Sequence, residues 1–254
     1  MEAGCTDMKT ARFIPPDGQI DVWTARNSSY NARDVAVMSE TLSMSEHAEV
    51  QRLRVHQHRI HRLLSRALLR RVLSHYAGLP PQALEIDRKC SQCAIPHGRP
   101  HDRSGVWQMS VTHSGDLWAV AVTSNYPVGL DAEELEGRTV HHVSRLADES
   151  FTPLEREALP SWEPPAEHLV LQHWTHKEAV LKCLGTGLTI PIQSVQLLAP
   201  LGRRQQVSVD TGSEHKSLYV ESLDIGQLWV SALACAAPWH RVVVRSVSIL
   251  DDAP

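Results

Sequence analysis

The segment Tyr126-Pro-Val-Gly-Leu-Asp-Ala-Glu-Glu-Leu135 decides how this chain is read. Val128, Leu130 and Ala132 alternate with Gly129, Asp131 and Glu133, the period-two pattern of a strand with one buried face. Asp131 and Glu133 then project from the other face at i and i+2, close enough to hold one hard cation. Mg2+ takes oxygen ligands and usually keeps waters and substrate phosphates in its shell. Such a strand pair is common, and its weight depends on what lies downstream.

Downstream runs Trp174-Thr-His-Lys-Glu-Ala-Val-Leu-Lys-Cys-Leu-Gly-Thr-Gly-Leu188. On a helix, Glu178 and Lys182 lie one turn apart on the same face. A carboxylate followed at i+4 by an ammonium can be a solvated ion pair, or it can hold a metal and a phosphate side by side. With Asp131 and Glu133 the set becomes three acids and one base, suited to a Mg2+-diphosphate. Trp174 reads as an anchor of the helix in the core and Cys183 as a packing residue. The Gly185-Thr-Gly187 element lets the backbone turn sharply afterwards.

Residues 128–133 and 174–182, completed by Gly-Thr-Gly-Leu at 185–188, resemble the two signatures of the 4′-phosphopantetheinyl transferases of the Sfp type. Val111-Thr-His-Ser-Gly115 is similar to that family's Ser/Thr-His-Ser segment. His97-Gly-Arg-Pro100 is similar to its Gly-Lys/Arg-Pro turn, and Phe151-Thr-Pro-Leu-Glu155 to its Phe-Ser-x-x-Glu helix start. Order and spacing agree over about residues 50–200. The resemblance implies an α+β fold, a pseudo-twofold pair of similar halves with the active site in the cleft between them. It implies Mg2+-dependent transfer of 4′-phosphopantetheine from coenzyme A to a serine of an apo acyl or peptidyl carrier protein, releasing adenosine 3′,5′-bisphosphate. Asp131, Glu133 and Glu178 would hold Mg2+, with Glu178 the first choice for general base and Asp131 and Lys182 the other catalytic groups. Arg54, Arg62, Arg99, Thr112, His113 and Lys182 would contact coenzyme A. The family's lysines further upstream have no counterpart, since Glu46, His47 and Glu49 occupy that region.

Composition allows such an enzyme. A chain of 254 residues with 42% apolar content can bury a real core. No run approaches the length of a membrane span, and Met1–Thr10 lacks a charged-then-apolar signal. Five unpatterned cysteines point to a reducing cytoplasm. The expected state is a monomer without membrane or nucleic-acid partners.

A net charge of -4 hides a local asymmetry: Gln51–Leu84 holds seven arginines and no Asp or Glu. Leu53, Ile60, Leu63, Leu64, Ala67, Leu68 and Val72 recur at helical spacing, while Arg52, Arg59, Arg62, Arg66 and Arg70 form a charged stripe. A solvated helix face normally carries acids as well, so the stripe is expected to meet an anion. Nucleic acid could supply it, but only 5% of residues are aromatic and the rest of the chain is acidic. Arg99, between a glycine and a proline, is a turn-mounted guanidinium able to grip phosphate bidentately. His113 at a strand end is read as a binding rather than an acid–base residue.

Cys90-x2-Cys93 with His97 and His101 offers a zinc pattern, though four ligands within twelve residues would be cramped. The stretch Gly137–Leu146, with Arg138 and Arg145, reads either as a routine amphipathic helix or as a docking surface for an acidic carrier protein.

Two halves are expected, 1–125 and 126–254. The first should hold strands at Gln19–Thr24, Gln108–Thr112 and Leu117–Ser124 and a helix at Ser45–Tyr76. The second should hold a strand at Val128–Glu133, helices around Val140–Asp148 and Ala166–Leu184, then strands at Gln206–Asp210, Ser217–Leu223, Leu228–Ala234 and Val242–Ile249. Helices grouped between runs of strands indicate α+β. Two other classes stay open: a coenzyme A-binding module without activity, and a nucleic-acid- or zinc-binding protein.

Overall fold

The computed structural model describes residues 13–26, 30–89, 98–137, 139–158, 166–197, 201–212 and 214–247. The chain forms two compact units, one of Met1–Ile14, Tyr30–Leu84 and Ile249–Pro254, the other of Pro15–Ser29 and Glu85–Ser248.

The first unit is helical: α1 (Ala32–Ser39), α2 (Met44–Gln51) and α3 (His56–Ala77). Asn31 and Ser43 open α1 and α2 through capping boxes with Asp34 and Glu46. The single helix expected at Ser45–Tyr76 is therefore two. The chain leaves helical geometry after Arg52, and Val55 is extended at φ -85, ψ 124 before α3 begins. α3 stops where Gly78 adopts φ 62, the left-handed conformation that glycine tolerates at a helix C-terminus. Its apolar face buries Leu64, Ala67, Leu68, Val72 and Tyr76.

The arginine stripe finds its acids on α2. Glu49 accepts from Arg62 at 2.7 Å and from Arg66 at 2.9 Å, while Glu46 pairs with Arg70. Arg70 also donates to the carbonyls of Pro81 and Leu84. Arg66 and Arg70 are buried, and a buried guanidinium requires such partners. For Arg62, Arg66 and Arg70 the anion opposite the stripe is thus supplied by acids of this chain, which precede the stripe in sequence and lie on a separate helix.

The second unit is mixed α and β. One sheet has the order β10-β1-β5-β4, from β1 (Gln19–Arg26), β4 (Gln108–Ser114), β5 (Leu117–Thr123) and β10 (Arg241–Ser246). β1 runs antiparallel to β5 and parallel to β10. The other sheet has the order β6-β9-β8-β7, all antiparallel, from β6 (Val128–Glu134), β7 (Gln205–Asp210), β8 (His215–Ser222) and β9 (Trp229–Cys235). A short ribbon pairs β2 (Ile86–Asp87) with β3 (His101–Asp102). The helices are α4 (Val140–Ser150), α5 (Pro153–Ala158) and α6 (Ala166–Leu184).

The period-two reading of β6 holds, but both of its faces are covered. Val128 and Leu130 pack with Ile20, Val22, Ala119 and Ala121 of the first sheet, forming a core between the sheets. The opposite face meets α6, whose Ala179, Val180, Leu181 and Cys183 bury against the second sheet. Gly129 permits that contact: a Cβ there would stand 1.9 Å from the Ala179 carbonyl oxygen. The helix backbone thus rests directly on the strand that carries Asp131. Among the described residues no helix is long and apolar enough to cross a membrane.

Candidate active site on β6 and α6

α6 brings Glu178 and Lys182 over the acids of β6. Lys182 Nζ lies 2.7 Å from Asp131 Oδ1 and 3.2 Å from the Leu130 carbonyl oxygen. Asp131 is buried, and its Oδ1 also accepts from Thr112 Oγ1 of β4 at 3.1 Å. Glu133 Oε2 accepts from Ser114 Oγ at 3.0 Å. Burial and the negative charge of Asp131 push the Glu178 carboxyl up to about 7, with Lys182 opposing and Glu133 adding to the rise. The three acids and the lysine chosen from sequence therefore share one electrostatic neighbourhood.

That neighbourhood is not a closed cage. Among the described residues no three His, Cys, Asp or Glu side chains form a ready metal site. The Lys182 ammonium stands at Asp131 and supplies positive charge there. Two observations nonetheless fit a divalent cation. Asp131 Oδ2 is buried with no hydrogen-bond partner among the described residues, and burial together with the charges of Asp131 and Glu133 raises the Glu178 carboxyl to about 7. A set of carboxylate oxygens short of positive charge suits Mg2+ in donor chemistry.

The end of α6 is fixed by a Schellman motif. Thr186 N–H donates to Leu181 O, and Gly185 N–H donates to Lys182 O, with Gly185 at φ 77. Arg99 reinforces it, donating from Nη1 to Cys183 O at 3.1 Å and from Nη2 to Gln108 Oε1 at 3.0 Å. A cation at that terminus also complements the helix dipole. Arg99, expected as a free phosphate clamp, is thus turned toward α6, leaving its buried Nε without a partner among the described residues.

Of the other expected coenzyme A contacts, two belong to the second unit and two to the first. Thr112 is buried and turned to Asp131. His113 is exposed on β4, with its ring edge-on to Trp118 at 6.2 Å. Arg54 is exposed just before α3, and Arg62 is engaged by Glu49; both belong to the first unit. Cys90, Cys93 and His97 lie outside the described residues, as does Arg138, while His101 is exposed on β3. Arg145 is exposed on α4, 3.8 Å from Glu149.

Sequence reasoning passed over Lys177. Its side chain is fully buried, with Nζ 2.7 Å from Glu155 Oε2 and 2.6 Å from the Ser150 carbonyl oxygen. Glu155 also accepts the backbone N–H groups of Thr152 and Leu197, each at 2.7 Å. The pair ties α6 to α4 and α5 immediately beside Glu178. A signal was available in Thr152-x-x-Glu155, a capping-box spacing, but nothing local marks Glu155 as the partner of a lysine 22 residues away.

Residues 127–237 match the family model of the 4′-phosphopantetheinyl transferase superfamily. The matched span takes in the β6 acids and the α6 glutamate and lysine. Curated proteins are similar to the chain as well. The chain is 30% identical over 152 residues to the 4′-phosphopantetheinyl transferase HetI of Nostoc sp., covering 59% of this chain and 62% of that protein. It is 24% identical over 186 residues to a 4′-phosphopantetheinyl transferase of Bacillus subtilis, covering 72% of this chain and 77% of that protein. To the 4′-phosphopantetheinyl transferase Sfp of Bacillus subtilis it is 24% identical over 130 residues, 51% of this chain and 55% of Sfp.

Proposed function

We propose that this protein transfers 4′-phosphopantetheine from coenzyme A to a serine hydroxyl of an acyl or peptidyl carrier protein, with Mg2+ and with release of adenosine 3′,5′-bisphosphate. The observation that carries the reading is the 2.7 Å contact of Lys182 with Asp131, groups 51 residues apart joined beside Glu178. Asp131, Glu133 and Glu178 are the residues that would hold Mg2+. When bound, Mg2+ would neutralise charge on the coenzyme diphosphate.

The serine oxygen attacks the β-phosphorus in line, and the bond to the bridging oxygen of the leaving bisphosphate breaks. Glu178, whose carboxyl titrates at about 7, is suited to accept the serine proton at neutral pH. Lys182 offsets negative charge on the transferring or leaving phosphate. Asp131 holds that ammonium in place, and Thr112 holds Asp131. Arg99 sets the last turn of α6 from which Lys182 extends.

A pseudo-twofold relation of the two sheet regions belongs to the same proposal. It is supported by strand order: β1-β5-β4 and β6-β9-β8 each place the last strand of the run between the first and the one before it. Calorimetric titration of Glu178→Gln with coenzyme A, paired with a transfer assay, tests the roles. Retained coenzyme binding with transfer abolished is expected; near-normal turnover would remove Glu178 as base.

A further inference from the structure

β4 and β6 are edge strands of separate sheets, and three β4 hydroxyls join them. Ser110 Oγ accepts the Leu130 N–H at 3.0 Å. Thr112 Oγ1 donates to Asp131 Oδ1 at 3.1 Å. Ser114 Oγ accepts the Glu134 N–H at 2.9 Å and donates to Glu133 Oε2 at 3.0 Å. Residues 110, 112 and 114 share one face because strand side chains alternate. Ser110 thus ties down backbone, whereas Ser114 ties down backbone and carboxylate together.

A hydroxyl has one hydrogen. That of Ser114 is committed to Glu133, while its oxygen is fixed by the Glu134 amide. The serine itself is anchored, since its carbonyl accepts from Trp229 Nε1 at 3.1 Å and Arg26 covers the Trp229 ring at 3.7 Å. We propose that Ser114 is a positioning residue for the cation site, a side chain of one sheet aiming the Glu133 carboxylate of the other. The inference rests on the reading of Asp131, Glu133 and Glu178 as Mg2+ ligands. Groups that orient a ligating carboxylate commonly alter metal affinity when removed, by about tenfold or more.

The test is Mn2+ titration of the coenzyme A-bound protein by electron paramagnetic resonance, with urea unfolding in parallel, on wild type and three variants. Ser114→Ala should weaken Mn2+ binding about tenfold, and Ser114→Thr, which keeps the hydroxyl, should restore it. Ser110→Ala should lower stability while leaving Mn2+ affinity unchanged. Unchanged affinity in Ser114→Ala, or equal weakening in Ser110→Ala, would overturn the proposal. Absence of Mn2+ binding by the wild type would instead overturn the metal-site reading beneath it.

Discussion

Gly129 on β6 lies directly under Ala179 on α6, so close that any side chain at 129 would overlap the helix backbone. Glu178 and Lys182 flank Ala179 on the same helix, and Asp131 and Glu133 follow Gly129 on the same strand. The one contact therefore sets the spacing of all four charged groups. A Cβ at 129 would meet the carbonyl oxygen of Ala179 at 1.9 Å and the amide nitrogen of Cys183 at 2.5 Å. Both are backbone atoms, so the helix itself must move. Gly129→Ala should cost about 3 kcal/mol in urea unfolding, at the upper end for overpacking, and should reduce transfer more than it reduces the folded fraction.

The buried Lys177–Glu155 pair should respond asymmetrically. Removing one partner leaves a charge or donor stranded in the core, a loss of about 3–5 kcal/mol. Lys177→Met and Glu155→Leu should each fall in that range. The double variant Lys177→Met/Glu155→Leu should recover part of the lysine–carboxylate penalty, although Leu197 and Thr152 lose the acceptor for their amides. A double-mutant cycle by chemical denaturation measures the coupling; additive losses would count against the pair.

Two buried groups should give pH dependences of opposite sign. The folded-state value of Glu178 is raised from 4.5 to about 7, so between those values the folded protein binds more protons than the unfolded chain. That contribution makes stability fall as pH rises through the window. His176 is depressed from 6.5 to about 4 by burial, so its contribution is present above 6.5 and is lost as pH falls toward about 4. The two oppose each other between 4.5 and 6.5. Comparing wild type with Glu178→Gln, free of divalent metal, isolates the first: the wild type should gain stability relative to the variant on going from about pH 8 to about pH 5. Parallel curves would refute the assigned shift.

Lys182→Met should destabilise the metal-free protein by about 1–3 kcal/mol, because Asp131 is buried and loses its closest cation. Added Mg2+ should restore more stability to this variant than to wild type, since the ammonium and a divalent cation meet the same need. Thermal unfolding with and without Mg2+ reads the difference.

The motif-bearing elements were legible because their signals are local. Val128–Glu133 alternates strictly, and 174–188 combines a helical period with a glycine stop. The glutamate and lysine that approach these strand acids were legible as a set through the family resemblance. What escaped was long-range. The arginine stripe seemed unopposed because Glu46 and Glu49 sit on a preceding helix, separated by a break at Arg52–Val55 that has no glycine or proline to mark it. Arg99 was read as facing phosphate, yet its donors go to Cys183 O and Gln108, a choice made by where the α6 terminus ends. Nothing local to Lys177 marks it as buried; only the packing of α6 sets it against Glu155.

The claim at the centre is that β6 and α6 build a transferase site for coenzyme A. Mass spectrometry of an apo carrier protein incubated with this protein, coenzyme A and Mg2+ tests it most directly. The account predicts a gain of one phosphopantetheinyl group on the carrier serine, lost when Mg2+ is chelated and lost again in Glu178→Gln. A carrier that stays unmodified with folded wild-type protein, across both acyl and peptidyl carriers, would contradict it.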